Sequence, residues 1–204
     1  MVKEKNENTE QKILQAAQNI FIKKGMDGAR MQEIADEAQI NKALLHYYFR
    51  SKQKLFEAIF DNLFKQIFPN FSLLFNKEIH ILNRLDIFIE NYLEILMQNP
   101  GLPAFILKEI NRDPEMIVAA FRRQGFQPQL VAKMFEEEMA AGNIRKMNPS
   151  DLLISLLSNC IFPLAAQPLL QIMLFDNAPN RYQEFLNNRK ETAKEMFRKI
   201  LAVN

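Results

Sequence analysis

The chain has 204 residues, enough for one or two domains. With 48% hydrophobic and 25% charged residues and a net charge of +2, its composition is that of an ordinary globular protein. Its one cysteine, Cys160, excludes an intramolecular disulfide framework. The N-terminal MVKEKNENTEQK has no apolar core and does not read as a signal peptide. Both features predict a cytoplasmic protein.

The basic charge is concentrated near the N-terminus. Residues 1–55 carry 10 Lys and Arg against 7 Asp and Glu, whereas residues 56–204 carry 16 against 17. A local basic excess is the electrostatic footprint expected of a surface that binds nucleic acid.

Apolar spacing predicts a first helix from about Thr9 to Lys24. Gly25 follows it, where a left-handed C-terminal stop favours glycine. The helical periodicity of one buried face is carried by Ile13, Ala16, Ala17, Ile20 and Phe21.

Two short helices with a tight turn between them are predicted next. The second helix runs from about Met31 to Ala38, and the turn is residues 39–41. Asn41 is placed to cap the third helix, which packs through Leu45 and Phe49. Four cations without an acid among them then follow: Lys42, Arg50, Lys52 and Lys54. This arrangement is typical of a helix-turn-helix that enters a major groove.

The rest of the chain is also predicted to be helical. Ser51 is placed to cap the fourth helix, which Pro69 ends or kinks. Asp113 and Asn148 each precede a proline at the first helical position. The later helices cover about residues 79–97, 103–111, 114–141 in one or two pieces, 149–174 and 179–201. The predicted fold class is therefore all-α.

Residues 152–175 contain no charged residue and are long enough to span a bilayer. The run includes Pro163 and Pro168, and Asp151 and Asp176 flank it without the usual basic or aromatic anchors. These features favour a helix buried partly in its own domain and partly against a second copy, through a face around Leu153, Leu156, Leu157 and Leu164. A membrane-associated regulator remains the alternative.

The sequence contains no recognisable motif for a catalytic site or a metal site. The chain has no Gly-rich phosphate loop, and His46 and His80 are not spaced as metal ligands. We expect no metal, no cofactor and no enzymatic activity. An enzyme with a helix-turn-helix-like N-terminal region remains a second alternative.

The segment EIADEAQINKALLHYYFRSKQKLF, after the first helix and Gly25, resembles the TetR family of bacterial transcriptional regulators. The resemblance covers about residues 9–60. It implies a three-helix DNA-binding domain, residues 1–55, and a helical bundle for regulation, ligand binding and dimerisation, residues 56–204. It further implies a cytoplasmic homodimer that represses transcription from palindromic double-stranded operator DNA until a small molecule releases it.

The resemblance also implies which residues meet DNA. Arg30 stands where the family often has a capping Ser or Thr, and an arginine there is able to reach a phosphate. Gln39 stands where the family often has glycine, so a left-handed conformation would cost about 1 kcal/mol at this position. The matching residues expected to face DNA are Lys42, Ala43, Leu44, His46 and Tyr47, and Lys52 is expected to meet a phosphate.

The second half of the chain is rich in phenylalanine and methionine. Adaptable apolar side chains with a few polar groups are the usual lining of a ligand pocket. The expected effector is therefore apolar or amphipathic and bound between the fourth and eighth helices. The expected contacts are Tyr92, Met97, Phe105, Glu109 and Phe121.

Overall fold

The computed structural model describes residues 2–99 and 101–203, with side chains from residue 8 onward. Only helices and their connections occur in these ranges, which confirms the all-α prediction. The helices are α1 Val2–Gly28, α2 Met31–Glu37, α3 Lys42–Tyr48, α4 Lys52–Leu73, α5 Ile81–Gln98, α6 Leu102–Arg112, α7 Pro114–Arg123, α8 Pro128–Ala140, α9 Pro149–Ala165, α10 Gln167–Leu174 and α11 Pro179–Leu201.

By their contacts the residues form two compact units. Unit 1 is residues 1–66 and 109–124, and unit 2 is residues 67–108 and 125–204. The end of α6 and all of α7 therefore share a unit with the helix-turn-helix, although they lie far from it in sequence. The predicted boundary at residue 55 separates a DNA-binding domain from a regulatory domain, whereas the two units are defined by contacts alone. The boundary at residue 55 stays a prediction.

Unit 1 is built on the apolar stripe of α1. Ile13, Ala17 and Phe21 are fully buried, and the Phe21 ring meets the Phe56 ring of α4 edge-on at 4.9 Å between centroids. α7 completes the unit, since its Phe121 stacks on Phe64 of α4 at 4.3 Å. Burial of such rings is a large source of stability in a small unit.

Unit 2 contains α5 packed against α9 and α11. Buried Arg84 of α5 pairs with Glu138 of α8, and its Nη1 donates to the Leu74 carbonyl oxygen at 2.5 Å. Asn143 Nδ2 donates to the other Glu138 oxygen at 2.7 Å. Because the Glu138 charge is paired and hydrogen-bonded, its pKa is lowered although burial opposes this.

Three predicted helix boundaries require correction. α1 begins at Val2 rather than near Thr9, and its kink falls at Gly25, where φ is 72°. α4 does not end at Pro69 but continues to Leu73. Buried Phe71 packs edge-on against Phe88 at 5.0 Å between ring centroids, and this contact helps to offset the backbone hydrogen bond that the proline cannot donate. Pro100, between the helices predicted over about residues 79–97 and 103–111, lies outside the described residues.

The predicted helix over residues 149–174 is in fact two helices. α9 ends at Ala165, and α10 leaves it at an angle of 75°. Pro168 explains the break, because proline lacks the N–H that would donate to the Leu164 carbonyl oxygen in a continuous helix. Among the described residues no single helix is long and apolar enough to cross a membrane, and the bent α9–α10 pair reaches that length only together.

Candidate nucleic-acid interface

The turn between α2 and α3 is set by hydrogen bonds that close the C-terminus of α2. Ile40 N donates to Ala35 O at 3.0 Å, and Gln39 N donates to Asp36 O at 3.1 Å. This pair of bonds is a Schellman motif. In that motif the residue just after the C-cap takes a left-handed conformation. Gln39 takes that conformation with φ of 57°. The left-handed conformation on which the predicted cost at Gln39 depends is therefore present, and the cost itself stays a prediction.

The start of α3 is fixed by Asn41. Its side-chain oxygen accepts a hydrogen bond from Leu44 N at 2.7 Å, as predicted. The inward face of α3 then holds Leu45, fully buried, and Phe49 follows at the C-cap, also buried. These two anchors orient the helix because their spacing of four residues places both on one side.

The opposite face of α3 is open to solvent. Lys42 and Ala43 in the first turn, and His46 and Tyr47 one turn later, are all exposed. Tyr47 is 77% exposed, and its ring meets the Tyr48 ring edge-on at 5.5 Å between centroids. A surface tyrosine with so little cover presents its hydroxyl and ring to a partner rather than to the core.

Leu44 lies at the margin of this face. It is 36% exposed and lines a cleft of about 470 Å³ between α1 and the turn. The cleft also includes Thr9, Lys12 and Gln39. Spacing along α3 did not predict the α1 residues beside Leu44, because only the packing of α1 on α2 brings them there.

Arg30 precedes α2 in extended backbone and is exposed. Its side chain makes no capping hydrogen bond, as expected for a residue that cannot accept an N–H. Glu33 in the first turn of α2 is 2.9 Å from the Lys24 ammonium of α1. That hydrogen bond lowers the pKa of Glu33, so the carboxylate stays charged beside its partner.

The four cations of the predicted basic run have different surroundings. Lys42 and Arg50 are exposed, while the Lys54 ammonium is 2.9 Å from a Glu57 carboxylate oxygen. The Lys52 ammonium donates to two main-chain carbonyl oxygens, those of Asp27 and Ala29. From the sequence, all four cations were expected to be available to DNA. The side-chain contacts show that only Lys42 and Arg50 are exposed without such a partner being described, whereas Lys52 and Lys54 make hydrogen bonds within the protein.

The five predicted effector contacts fall in both units. In unit 2, Tyr92 and Phe105 are buried and Met97 is half-buried. Tyr92 stacks on Phe88 at 5.4 Å, and burial raises the pKa of its hydroxyl. In unit 1, Phe121 stacks on Phe64, and fully buried Glu109 pairs with Arg112. The second carboxylate oxygen of Glu109 has no hydrogen-bond partner among the described residues.

A cleft of about 760 Å³ in unit 1 holds none of these five residues. It lies between the start of α4 and α7 and has a mixed charged lining that includes Glu57, Asp113, Glu115, Arg122 and Arg123. Among the described residues, no three His, Cys, Asp or Glu side chains are grouped as metal ligands.

Residues 13–59 match the family described as bacterial regulatory proteins, tetR family. The chain is similar to the HTH-type transcriptional repressor NicS of Pseudomonas putida, with 36% identity over 58 residues, 28% of this chain and 27% of NicS. It is also similar to an uncharacterized HTH-type transcriptional regulator in the lacX 3' region of Lactococcus lactis subsp. lactis, with 40% identity over 55 residues, 27% and 28% of the two chains. The chain thus spans about a quarter of the length of these relatives.

Solved structures extend the likeness in fold over nearly the whole chain. HlyIIR, a hemolysin II transcriptional regulator, aligns with a TM-score of 0.64 and 21% identity over 93% of this chain and 97% of its own. A candidate fatty acid metabolism regulator of Clostridium perfringens aligns with a TM-score of 0.67 and 20% identity, covering 88% and 97%. Residues 13–59 thus match the tetR family of bacterial regulatory proteins, and most of the chain shares its all-helical fold with these two solved structures.

Proposed function

We propose that this protein is a transcriptional repressor that binds double-stranded operator DNA as a homodimer and is released by a small molecule. The observation that carries the proposal is the exposed face of α3, where Lys42, Ala43, His46 and Tyr47 point away from the buried anchors. A recognition helix needs this division between an anchored side and a polar, open side. The repressor assignment draws support from the name of NicS.

Each residue of this surface has a chemical role open to it. Lys42 lies in the first turn, the end of a recognition helix that reaches base edges, and its ammonium suits guanine or a phosphate. Leu44 offers an apolar contact to a thymine methyl. Tyr47 and Arg30 suit phosphate oxygens through a hydroxyl and a guanidinium. His46 lies between them on the same face.

A second copy of the chain is the proposed partner for the apolar surface of unit 2. Two of the predicted face residues, Leu156 and Leu164, are buried within their own unit, so they do not form that surface. Phe162 is 54% exposed and Ile172 is 66% exposed, and the other large apolar residues exposed on α9, α10 and α11 are Ile154, Leu169, Met173, Leu174, Met196 and Ile200. Large apolar patches on a surface typically mark an interaction site.

A two-fold dimer also fits the proposed DNA site. A closed two-fold contact uses the same patch on both copies, and it pairs naturally with a palindrome. The groove between α9 and α11, about 480 Å³, contributes Phe162, Met196 and Ile200 to that patch. Two recognition helices would then need a separation of about 34–36 Å to enter successive major grooves.

The proposed effector is apolar or amphipathic and acts in the cytoplasm. The expected contacts in unit 2 are the apolar side chains of Tyr92, Met97 and Phe105. Those in unit 1 are Phe121 and Glu109, and one Glu109 carboxylate oxygen has no hydrogen-bond partner among the described residues. A buried unpaired oxygen is costly, and a donor on a ligand would remove that cost. The likeness in fold to a candidate fatty acid metabolism regulator agrees with an apolar effector class.

The experiment is to select binding sequences from a random pool of duplex DNA and to measure affinity for the selected duplex at several salt concentrations. We expect a palindromic sequence. The logarithm of the affinity should fall linearly with the logarithm of the salt concentration, because binding releases counterions from the DNA. Tyr47→Phe should weaken binding across sequences by about 1 kcal/mol, and Lys42→Ala should also relax preference at one base pair by about 1–3 kcal/mol.

The matched control for these variants is Lys108→Ala, an exposed lysine on α6 in unit 2. It removes the same charge from a surface outside the proposed interface, so affinity should not change. No selected sequence, or equal effects from Lys42 and Lys108, would contradict the assignment of α3 as the recognition helix.

A further inference from the structure

Arg189 of α11 is a half-buried cation whose described partners include no acid. Its Nη2 donates to the Asn159 side-chain oxygen of α9 at 2.6 Å and to the Asn159 main-chain oxygen at 3.1 Å. Its Nε is buried and has no hydrogen-bond partner among the described residues. Burial lowers the pKa of the guanidinium, as expected where a charged group loses contact with water.

The surroundings of Arg189 supply no counter-charge. It lines the groove of about 480 Å³ between α9 and α11, and the other lining residues are all uncharged and include Ser155, Phe162, Met196 and Ile200. A charge in a poorly solvated place is costly unless it is paired. A second copy that covered this groove would therefore need to bring an anion to Arg189.

Asp151 is an exposed acid on the same side of α9 as the groove. Helical spacing places four side chains along one side of α9: Asp151, Ser155, Ser158 and Phe162. The last three line the groove. The main-chain N–H of Asp151 donates to the Asn148 cap at 3.2 Å, and no cation of the described residues pairs with its carboxylate. That carboxylate is therefore available to a partner.

Within one chain, Arg189 and Asp151 lie at different levels of the groove. α11 runs antiparallel to α9, because Arg189 meets Asn159 in the second half of α9, whereas Leu201 O accepts from Arg145 N just before α9 begins. Arg189 is thus at the level of Asn159, and Asp151 lies about 12 Å away along the helix axis. The two charges do not meet inside one copy.

A two-fold axis brings these two levels together. Asp151 and Asn159 lie four residues on either side of Ser155. An axis that passes Ser155 at a right angle to α9 therefore places Asp151 of the partner subunit at the level of Asn159 and Arg189. In a closed two-fold contact each such pair occurs twice, once in each direction.

We propose that Arg189 binds Asp151 of a second copy of this chain, and that two such ion pairs set the register of the homodimer. The proposal rests on the proposed function, of which the homodimer is part. Apolar contacts alone tolerate several alignments, whereas a charge in a covered groove penalises every alignment that leaves it unpaired. Among the described residues Nη1 of Arg189 has no hydrogen-bond partner, so its donors are available to the carboxylate.

The test exchanges charges between the two subunits. Arg189→Asp alone would bring two acids together at each pair, and Asp151→Arg alone would bring two cations together. Each variant should have a dimer dissociation constant about a hundredfold above that of the parent, because like charges at an interface repel. Mixed in equal amounts, the two variants should dimerise again, since both pairs of the mixed dimer join opposite charges. Native mass spectrometry of the full chains distinguishes the mixed dimer from either homodimer.

The matched control is Glu195→Arg. Glu195 is also exposed, and no cation of the described residues pairs with it, but it lies on α11 and does not line the groove. Glu195→Arg should remain a homodimer and should form no mixed dimer with Arg189→Asp. A mixed dimer there would assign the partner of Arg189 to Glu195 and overturn the proposal.

Neutral variants keep the proposal testable if a reversed charge prevents folding. Arg189→Gln and Asp151→Asn should each raise the dissociation constant about tenfold. The double variant should raise it no further, because either change already removes both ion pairs. Losses that multiply in the double variant would contradict a direct contact.

The outcomes separate this ion pair from the homodimer itself. A parent chain that is monomeric at micromolar concentration would contradict both. If the parent is a dimer, the ion pair alone is overturned when both charge-reversed variants stay dimeric, or when their mixture stays monomeric.

Discussion

The side-chain oxygen of Asn41 accepts a hydrogen bond from the backbone N–H of Leu44 at 2.7 Å. This contact decides where the seven-residue α3 begins, and therefore which side chains occupy its first turn. A helix this short has little stability of its own, so its cap and its buried Leu45 carry a large share of its order.

Replacing Asn41 with alanine should lower the free energy of unfolding by about 1 kcal/mol, the usual loss for an N-cap. Operator affinity should fall as well, because Lys42 and Ala43 stand in the turn that the cap orders. Urea unfolding and DNA titration give the two quantities. Asn41→Ser is the control. Serine also caps helices, so this variant should keep most of the stability and most of the operator affinity. Equal stability of the alanine and serine variants would show that the cap is unimportant.

Replacing Gln39 with glycine should raise the free energy of unfolding by about 1 kcal/mol, because glycine adopts positive φ without a steric penalty. The gain is limited by the greater freedom of glycine in the unfolded chain. Gln39→Ala is the matched variant: it also removes the side chain but keeps the Cβ that causes the strain. We expect no gain from alanine, and a gain of the same size from both would attribute the effect to the glutamine side chain.

The register of α11 on α5 is set by a row of ion pairs that should make stability depend on pH. Lys190 Nζ is 3.3 Å from Glu90 Oε1, and Arg198 Nε is 2.8 Å from Asp86 Oδ2. Lys194 also pairs with Glu90, and Lys190 with Glu94. The three cations follow one another at intervals of one turn along α11. With each step toward the C-terminus of α11 the acidic partner lies one turn nearer the N-terminus of α5, as expected for antiparallel helices.

The sign of the pH effect follows from the carboxylates. The hydrogen bond from Lys194 lowers the pKa of Glu90, and that from Lys190 lowers the pKa of Glu94, both from an ordinary value of 4.5. These ion pairs stabilise the folded state fully above about pH 4.5, the ordinary pKa of glutamate. That stabilisation is lost as the pH falls through the lowered pKa values of Glu90 and Glu94. Salt should reduce it, since these groups are partly exposed.

The measurement is the melting temperature from about pH 6 down to about pH 3 in Glu90→Gln and in the parent. At pH 6 the melting temperature of Glu90→Gln should be lower than that of the parent. It should then fall less steeply as the pH is lowered, because glutamine does not titrate. Glu195→Gln, at an exposed position on α11, is the control and should follow the parent. Parallel curves for Glu90→Gln and the parent would contradict a role for the pair.

A charge on the exposed apolar surface of unit 2 should separate the proposed dimer. Phe162→Glu places a carboxylate at the centre of the α9–α11 groove, where pairing two copies would bury it without a partner. Mass in solution should change from dimer to monomer. Ile87→Glu is the control, because Ile87 is an exposed apolar residue on α5 outside that groove. A monomeric parent at micromolar concentration would contradict the dimer whatever the variants show.

Local chemistry determined much of this protein from the sequence alone. Apolar spacing predicted the helices, Asn41 and Asp113 marked where two of them begin, and Gly25 marked the kink in α1, because capping and positive φ depend on a few neighbouring atoms. The exposed face of α3 also followed from spacing, since Leu45 and Phe49 define the buried side and the remaining positions must face outward. The helix-turn-helix could therefore be predicted before any contact was known.

Tertiary structure decided what depends on residues distant in the chain. Nothing around Lys52 in sequence indicates that its ammonium meets Asp27 O and Ala29 O, because the partners are backbone oxygens of another helix. The burial of Leu156, against the exposure of Phe162, likewise depends on how α5 and α11 cover α9. In an apolar run nearly every side of a helix looks buried, and only the packed neighbours distinguish the core face from the face left for a second copy.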